Sequence, residues 1–374
     1  MDFRLWRDFN FFLLGCVLVL LSISLLSVYS ATLTAMTAFG TPLDILFPRH
    51  VGNILLGLVA MVLIAMLDYR LLSGLTVPLY VITVLILLVV LISGTITTGA
   101  QSWLALGTRT VQPSEFAKLL IIVALAAYWA RFEEQRTSWL VQLGGLILAG
   151  VPLLLVLAQP DFGTAMVFGF IWLTMAWGAG IRWYHLLVLA CIALPVIFLG
   201  WEYVLNAEQQ SRLSTFYWLL NDPARVDPND GYNIVQSLNA ISSGGMFGAG
   251  LTNGVLSQGN YIPVQYSDFI FAVVGEEMGF AGGALLLVML TLLLWIILTI
   301  VDDARDLFGR LIAVGIFGML LSHILINIGM AMSILPVTGL PLPFISYGGS
   351  FTITTLAAMG LLESIRMRRR RIVF

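Results

Sequence analysis

Residues 266–306 read YSDFIFAVVGEEMGFAGGALLLVMLTLLLWIILTIVDDARD. From Phe269 to Val301 the run is largely apolar over 33 residues, well beyond the ~20 that a helix needs to cross a bilayer. Yet it opens behind Asp268 and holds Glu276 and Glu277 side by side. A carboxylate in hydrocarbon costs about 3 kcal/mol or more, so intramembrane acids are functional candidates by default. Counting one span back from DDARD (302–306) starts the membrane portion near Gly279. At ~1.5 Å per helical residue, Asp268 then stands roughly 15 Å outward of that start. Glu276 and Glu277 fall at the boundary. The acids therefore belong to a site at one face of a membrane.

The rest of the chain agrees. Of its 374 residues 59% are hydrophobic and only 10% charged, and the mean hydropathy is +0.98. A soluble domain carries about 25% charged residues, so this chain has too little polar surface to cover itself in water. Its net charge of −2 carries no nucleic-acid signal. Cys16 and Cys191 lie in apolar runs, against a disulfide framework, and His50, His185 and His323 are scattered without metal-ligand spacing. Apolar stretches predict about ten transmembrane helices, near 10–31, 48–67, 71–93, 114–131, 139–158, 163–180, 183–204, 279–301, 310–334 and 350–366. The first follows Arg4 and Arg7 and reads as an uncleaved span rather than a signal peptide.

Lysine and arginine set the orientation. With the N-terminus inside, 13 of the 18 fall on the cytoplasmic side, including Arg4, Arg7, Arg70, Arg131, Arg136, Arg182, Arg305, Arg310 and the RMRRRR stretch at 366–371. That stretch reads as a topology anchor. The predicted fold is an all-α polytopic membrane protein, a single integral-membrane domain over 1–374. Both termini lie inside, and a large extracytoplasmic loop at about 205–278 joins spans 7 and 8. Gly279 and Gly283 form a GxxxG, read as close helix packing.

The outer side collects the polar residues. In QPSEFAK (112–118), Glu115 and Lys118 are three apart on one helix face and can pair. Arg109 lies just before them, in a segment with Trp103, and Asp161 sits in the breaker AQPDFG (158–163). Arg212 opens the long loop. Within 232–241, Val235, Leu238 and Ile241 recur at helical spacing beside Gln236, which predicts an amphipathic helix before the glycine-rich turn SSGGMFGAG (242–250). Each residue has an ordinary reading as well. Asp268 can cap the helix it precedes, Glu115–Lys118 can be a structural ion pair, and Asp161 can be a turn residue.

Taken together, QPSEFAK (112–118), QPDFGTA (159–165), GYNIVQSLNAISSGG (231–245), SDFIFAVVGEEMG (267–279) and GLPLPFISYGGS (339–350) resemble the SEDS family, the shape, elongation, division and sporulation proteins. The resemblance covers most of the chain, and the short tails and GLPLPFISYGGS look more like its elongation branch, RodA, than its division branch, FtsW. It implies a peptidoglycan glycosyltransferase that polymerises lipid II into glycan strands at the outer face of the bacterial cytoplasmic membrane. The family's essential aspartate falls on Asp268. Glu115, Lys118 and Asp161 are implied as supporting residues, and Ser346 and Ser350 as part of a loop closing the cavity. The chain departs from the family pattern before Asp268, with Val264, Tyr266 and Ser267 where Glu, His and Thr are usual, and with Phe351 where a second Ser is common.

The chemistry expected of such a site is transfer of a glycosyl group to a sugar hydroxyl. A carboxylate at the water–lipid boundary is partly desolvated, which makes it a better base. Asp268 is the expected base, with Arg109, Arg212, Trp103, Gln236, Ser346 and Ser350 as substrate-binding candidates. A divalent cation, Mg or Mn, is the expected aid to the departing pyrophosphate, without an organic cofactor. Glu276 and Glu277 are expected to be cavity-lining, metal-associated or structural. The expected partners are lipid II, the growing strand, membrane lipid and a class B penicillin-binding protein transpeptidase; no nucleic acid is expected. A lipid II flippase and a non-catalytic scaffold of cell-wall synthesis are the alternatives. A flippase calls for polar groups through the full membrane depth or helices broken at the midplane, whereas most acids here lie on the outer side and the inner loops are short and basic.

Overall fold

The structure, a computed structural model, describes residues 7–33, 43–97, 100–106, 109–203, 207–222 and 228–369. Arg4, Arg370 and Arg371, counted above as cytoplasmic, lie outside the described residues. The helices begin with α1 (Phe11–Leu33), α2 (Leu43–Met66), the short α3 (Leu71–Gly74) and α4 (Thr76–Ser93). Then come α5 (Pro113–Arg131), α6 (Trp139–Ala158), α7 (Phe162–Gly178) and α8 (Trp183–Tyr203). The long segment after α8 holds α9 (Ala207–Asn221), α10 (Pro228–Ser243) and α11 (Val255–Gln258), and α12 (Ile270–Asp303), α13 (Leu307–Ala331) and α14 (Gly349–Met367) follow. Among the described residues seven helices are long and apolar enough to cross a membrane: α1, α2, α4, α5, α6, α12 and α13. The chain is a multi-pass membrane protein.

The all-α expectation needs one amendment. Segment 94–113 folds as a small antiparallel sheet, with β1 (Thr95–Thr97), β2 (Ala100–Leu106) and β3 (Arg109–Val111) in the order β1-β2-β3. Leu104 pairs with Val111 and Leu106 with Arg109. Extended backbone outside a span has no helix to satisfy its N–H and C=O groups, and pairing of strands does so instead.

The most buried span is α13, packed against α12, α7 and α5 with Leu311, Ile312, Ile316 and Leu320 wholly inside. Helices α2 and α14 lie backbone to backbone: a Cβ on Gly360 would stand 2.4 Å from the Met61 carbonyl oxygen. At the end of α14, Arg368 donates to the last carbonyls of α2, at 3.3 Å to Ala65 and 3.0 Å to Met66, where a cation suits the helix dipole. Arg366 pairs with Asp303, and Arg369 with Asp8 at 3.5 Å, so this basic end is stitched to α12 and to the residues before α1.

Two helices shape the site. Helix α12 does not run straight through 270–303: Gly279 has φ 65° and ψ −165°, which breaks the helix there. This is where span length alone had started the membrane portion. The glycine-rich turn repairs the break. Phe280 N–H donates to the Gly245 carbonyl at 2.9 Å and Ala281 N–H to Met246 at 3.0 Å, while Ala249 N–H and Gly250 N–H donate to Glu276 and Glu277 carbonyls at 2.9 and 3.0 Å. The GxxxG reading is corrected accordingly: a Cβ on Gly279 would meet Gly248 N at 2.3 Å, so the glycine admits a loop rather than a second helix. Helix α10 is amphipathic, but its buried face is Ile234, Ser237 and Ala240, and Val235 and Leu238 are exposed. Ser237 Oγ donates to the Ala331 carbonyl at 2.8 Å, so a polar residue, not an apolar one, seats this helix on α13.

Candidate active site

Asp268 lies two residues ahead of α12 and half-buried. It is not a helix cap: the N-cap position is Phe269, and no side chain caps this end. Its carboxylate accepts instead from the neighbouring Ser267 hydroxyl at 2.6 Å. Burial pushes the Asp268 carboxyl above the usual carboxylate range, while the Ser267 hydroxyl and the Arg212 guanidinium pull it the other way. A carboxylate raised by desolvation, with a cation near it, suits proton abstraction better than an exposed one.

The loop 339–347 is laced to this acid. Ser346 Oγ donates to the Ser267 carbonyl at 2.5 Å and accepts from Leu342 N–H at 2.8 Å. Tyr347 N–H donates to the Tyr266 carbonyl at 2.9 Å. Gly339, at φ 73°, lies where a Cβ would be 3.4 Å from Asp268 Oδ2. The Ser346 hydroxyl is thus engaged on both sides and buried, which makes it part of the loop's scaffold.

Behind the loop stands a buried charge pair. Glu115 and Lys118 meet at 2.8 Å with side chains 3% and 1% exposed. Lys118 Nζ also lies 2.9 Å from His323 Nε2, and His323 Nδ1 lies 3.1 Å from the Pro341 carbonyl. The two contacts assign the ring: Nδ1–H donates to the loop, and Nε2 accepts from the ammonium. One turn on, Asn327 Nδ2 donates to the Asp268 carbonyl at 2.8 Å and the Leu340 carbonyl at 2.7 Å. Two sets of polar contacts, Glu115–Lys118–His323 and Asn327–Asp268, thus end on the adjacent carbonyls of Pro341 and Leu340. His323 and Asn327 were not among the expected site residues. Their signal was present, two polar side chains four apart in an apolar span (HILIN, 323–327), because buried polar residues at membrane depth are costly.

The other expected residues divide. Asp161 caps α7, accepting from Thr164 N–H at 3.0 Å, and also accepts from Gln112 Nε2 at 3.0 Å. Gln112 N–H in turn donates to Ser350 Oγ at 3.0 Å. Asp161, Gln112 and Ser350 thus tie α7, α5 and α14 together. Arg212 comes to Asp268 from α9. Trp103 lies on β2 opposite Thr95, and Arg109 begins β3, its side chain lying outside the described residues. No hydrogen bond links Gln236 to the site among the described residues.

Of the readings open to Glu276 and Glu277, the structural one fits their surroundings: they face protein, at 1% and 2% exposure. Glu276 accepts from Leu256 and Ser257 N–H at 2.7 and 2.8 Å, which holds the start of α11. Glu277 Oε1 accepts from the Ser30 hydroxyl at 2.5 Å and from Gln258 Nε2 at 3.1 Å. Among the described residues no group of three or more His, Cys, Asp or Glu is placed to hold a metal ion.

With this geometry in hand, the comparisons with known proteins are decisive. Residues 11–371 match the model of the FtsW, RodA and SpoVE family, described as cell cycle proteins. The chain belongs to the FtsW, RodA and SpoVE family. It is 37% identical over 353 residues to the peptidoglycan glycosyltransferase MrdB of Escherichia coli (strain K12), covering 94% of this chain and 93% of the relative. It is 37% identical over 355 residues to stage V sporulation protein E of Bacillus subtilis (strain 168), covering 93% and 94%. Among solved structures, Thermus thermophilus rod shape determining protein RodA superposes with TM-score 0.71 at 28% identity, covering 98% of this chain and 99% of that one. A second, from a peptidoglycan synthase complex that coordinates polymerization and crosslinking, superposes with TM-score 0.80 at 31% identity, covering 96% and 98%. In this FtsW, RodA and SpoVE member, two of the four departures from the family pattern, Ser267 and Phe351, have visible roles. Ser267 keeps a hydroxyl on Asp268, and the Phe351 ring sits 4.8 Å from that of His323 and 5.5 Å from Lys118 Nζ. An aromatic face there stabilises the buried ammonium.

Proposed function

We propose that this chain is a RodA-like peptidoglycan glycosyltransferase that polymerises lipid II into glycan strands during cell elongation, with Asp268 as general base. The observation that carries the proposal is Asp268 itself. It lies outside its span, is free of any capping duty, is desolvated, and has a polar loop built against it. The names of the relatives, peptidoglycan glycosyltransferases of E. coli and of Treponema pallidum at 37% and 30% identity, support the activity. In the reaction, Asp268 takes the proton of the acceptor's 4-hydroxyl. The freed oxygen forms a bond to the anomeric carbon of the donor sugar, and the anomeric carbon–oxygen bond breaks with inversion. The electron pair leaves on undecaprenyl pyrophosphate. Arg212 and Arg109 would meet that negative charge, since guanidinium groups bind phosphate oxygens in pairs. Trp103, Gln236 and the 339–350 loop would line the headgroup site.

The described residues do not form a protein-held metal centre. A divalent cation, where one takes part, would rest mainly on the substrate's pyrophosphate and on water, as Mg²⁺ does in many phosphate sites. We read the seven long apolar helices together with α7, α8 and α14 as ten spans with both termini inside, the 205–278 segment outside, and the site at the outer face of the bacterial cytoplasmic membrane. Both glycan partners then stay lipid-anchored while their headgroups meet. The similarity to a polymerising and crosslinking complex supports a cross-linking partner, which we read as a class B penicillin-binding protein.

Lipid II polymerisation by the purified protein in lipid tests this, alone and with the transpeptidase, with and without chelator. Asp268→Ala should lose about 10²-fold or more, the range of a lost general base. A wild-type rate in that variant rejects Asp268 as the base.

A further inference from the structure

We infer that Asn327 is a positioning residue for Asp268, holding the acid and the 339–347 loop in one register through a single amide nitrogen. The inference rests on the reading of Asp268 as the base. Both protons of Asn327 Nδ2 are used, one on the Asp268 carbonyl at 2.8 Å and one on the Leu340 carbonyl at 2.7 Å. These carbonyls belong to segments 59 residues before and 13 residues after Asn327, and neither is inside a helix. Their direction is thus not set by a helical ladder. The Asp268 carbonyl lies before the first turn of α12, and the peptide that carries it determines where the Asp268 side chain leaves the backbone.

The surroundings show why an amide is needed at this point. Asn327 is fully buried on α13 and its bond to the Leu340 carbonyl is enclosed with it, while its bond to the Asp268 carbonyl is partly buried. A backbone carbonyl enclosed without a donor is unfavourable, and Asn327 supplies the donors for two of them at once. An aliphatic side chain of the same size would leave both open. Its Oδ1 has no partner among the described residues, so the side chain is kept for its donors. One turn earlier, His323 donates to the next carbonyl of the same loop, that of Pro341, at 3.1 Å. The same face of α13 therefore grips residues 340 and 341 in succession, and only Asn327 carries that grip through to Asp268. General-base catalysis depends on placement, and a displacement of about 1 Å can cost on the order of 10²-fold.

The test uses the full-length protein in lipid nanodiscs with lipid II as substrate. The variants are Asn327→Leu, Asn327→Asp, Asp268→Asn and the double variant Asp268→Asn/Asn327→Leu. Asn327→Asp keeps the shape and loses donors, so it remains informative should Asn327→Leu fail to fold. Asn327→Leu and Asn327→Asp should each lower kcat by about 10-fold to 10²-fold with KM changed by less than about two-fold, because Asn327 is enclosed and meets no substrate. They should also move the acidic limb of the kcat–pH profile, since the carboxylate leaves the Ser267 hydroxyl and Arg212. Loosening of the fold alone would lower the fraction of active protein without moving that limb. The double variant should be no slower than Asp268→Asn. Wild-type kcat and an unmoved limb in both Asn327 variants, with Asp268→Asn inactive, overturn the positioning role and spare the base. Wild-type activity in Asp268→Asn overturns the base and this inference with it.

Discussion

At the scale of single residues, the site works by giving each charge a defined surrounding. Asp268 must be ionised to accept a proton, and burial raises it above an ordinary aspartate, which titrates near 3.9. Activity should therefore rise with pH through a limb above that value. Ser267 hydrogen-bonds the ionised form and so opposes the rise. Removing it in Ser267→Ala should shift the acidic limb to higher pH, and a kcat–pH profile measures this directly. Lys118 holds a buried partner, Glu115, and its loss leaves an enclosed acid without its cation. Lys118→Met should destabilise the protein by about 3–5 kcal/mol, with Glu115→Gln/Lys118→Met recovering part of it, as read by thermal unfolding in detergent. Asp268, Glu115 and Lys118 stood out in the sequence as candidates because charges are rare in such a chain, and the family resemblance set Asp268 apart from the others. His323 and Asn327 did not, because neutral polar residues in a span look alike until their partners are known.

At the scale of elements, the junction of α12 with the glycine-rich turn is the decisive local structure. Span length placed the start of the membrane portion near Gly279, and the helix breaks there. Hydropathy could not show how the break is healed, since that depends on backbone groups of residues 244–250 arriving from another segment. Gly248, at φ 81°, would place a Cβ 2.1 Å from the Glu277 carbonyl oxygen. Gly248→Ala should thus cost on the order of 1–3 kcal/mol. Limited proteolysis is expected to cut the 244–262 segment faster in that variant. The face that α10 turns to protein depends on its neighbour in the same way. Val235 and Leu238 keep the period of an apolar stripe and stay outside, while Ser237 has a carbonyl waiting on α13, and Ile234 and Ala240 follow it inward. Periodicity finds a helix; the neighbour selects its face.

At the scale of the whole molecule, the chain is a bundle of spans carrying one polar site at one end. With both termini inside, the 205–278 segment and the 302–306 turn lie on opposite sides. In a Cys16→Ser/Cys191→Ser background, a membrane-impermeant maleimide should label Asn253→Cys in intact spheroplasts and leave Arg305→Cys unlabelled until the cells are opened. Labelling of Arg305→Cys in intact spheroplasts would invert the topology. Apolar run lengths and a few polar motifs were enough to establish a multi-pass membrane protein and its family, because hydrocarbon penalises every misplaced charge and so marks the spans along the chain. The sheet at 95–111, the break at Gly279, the enclosure of Glu276 and Glu277, and the grip of Asn327 on Asp268 came only with the packed chain. Each of these is a contact between segments far apart in sequence, and its energy exists only once both partners have left the solvent.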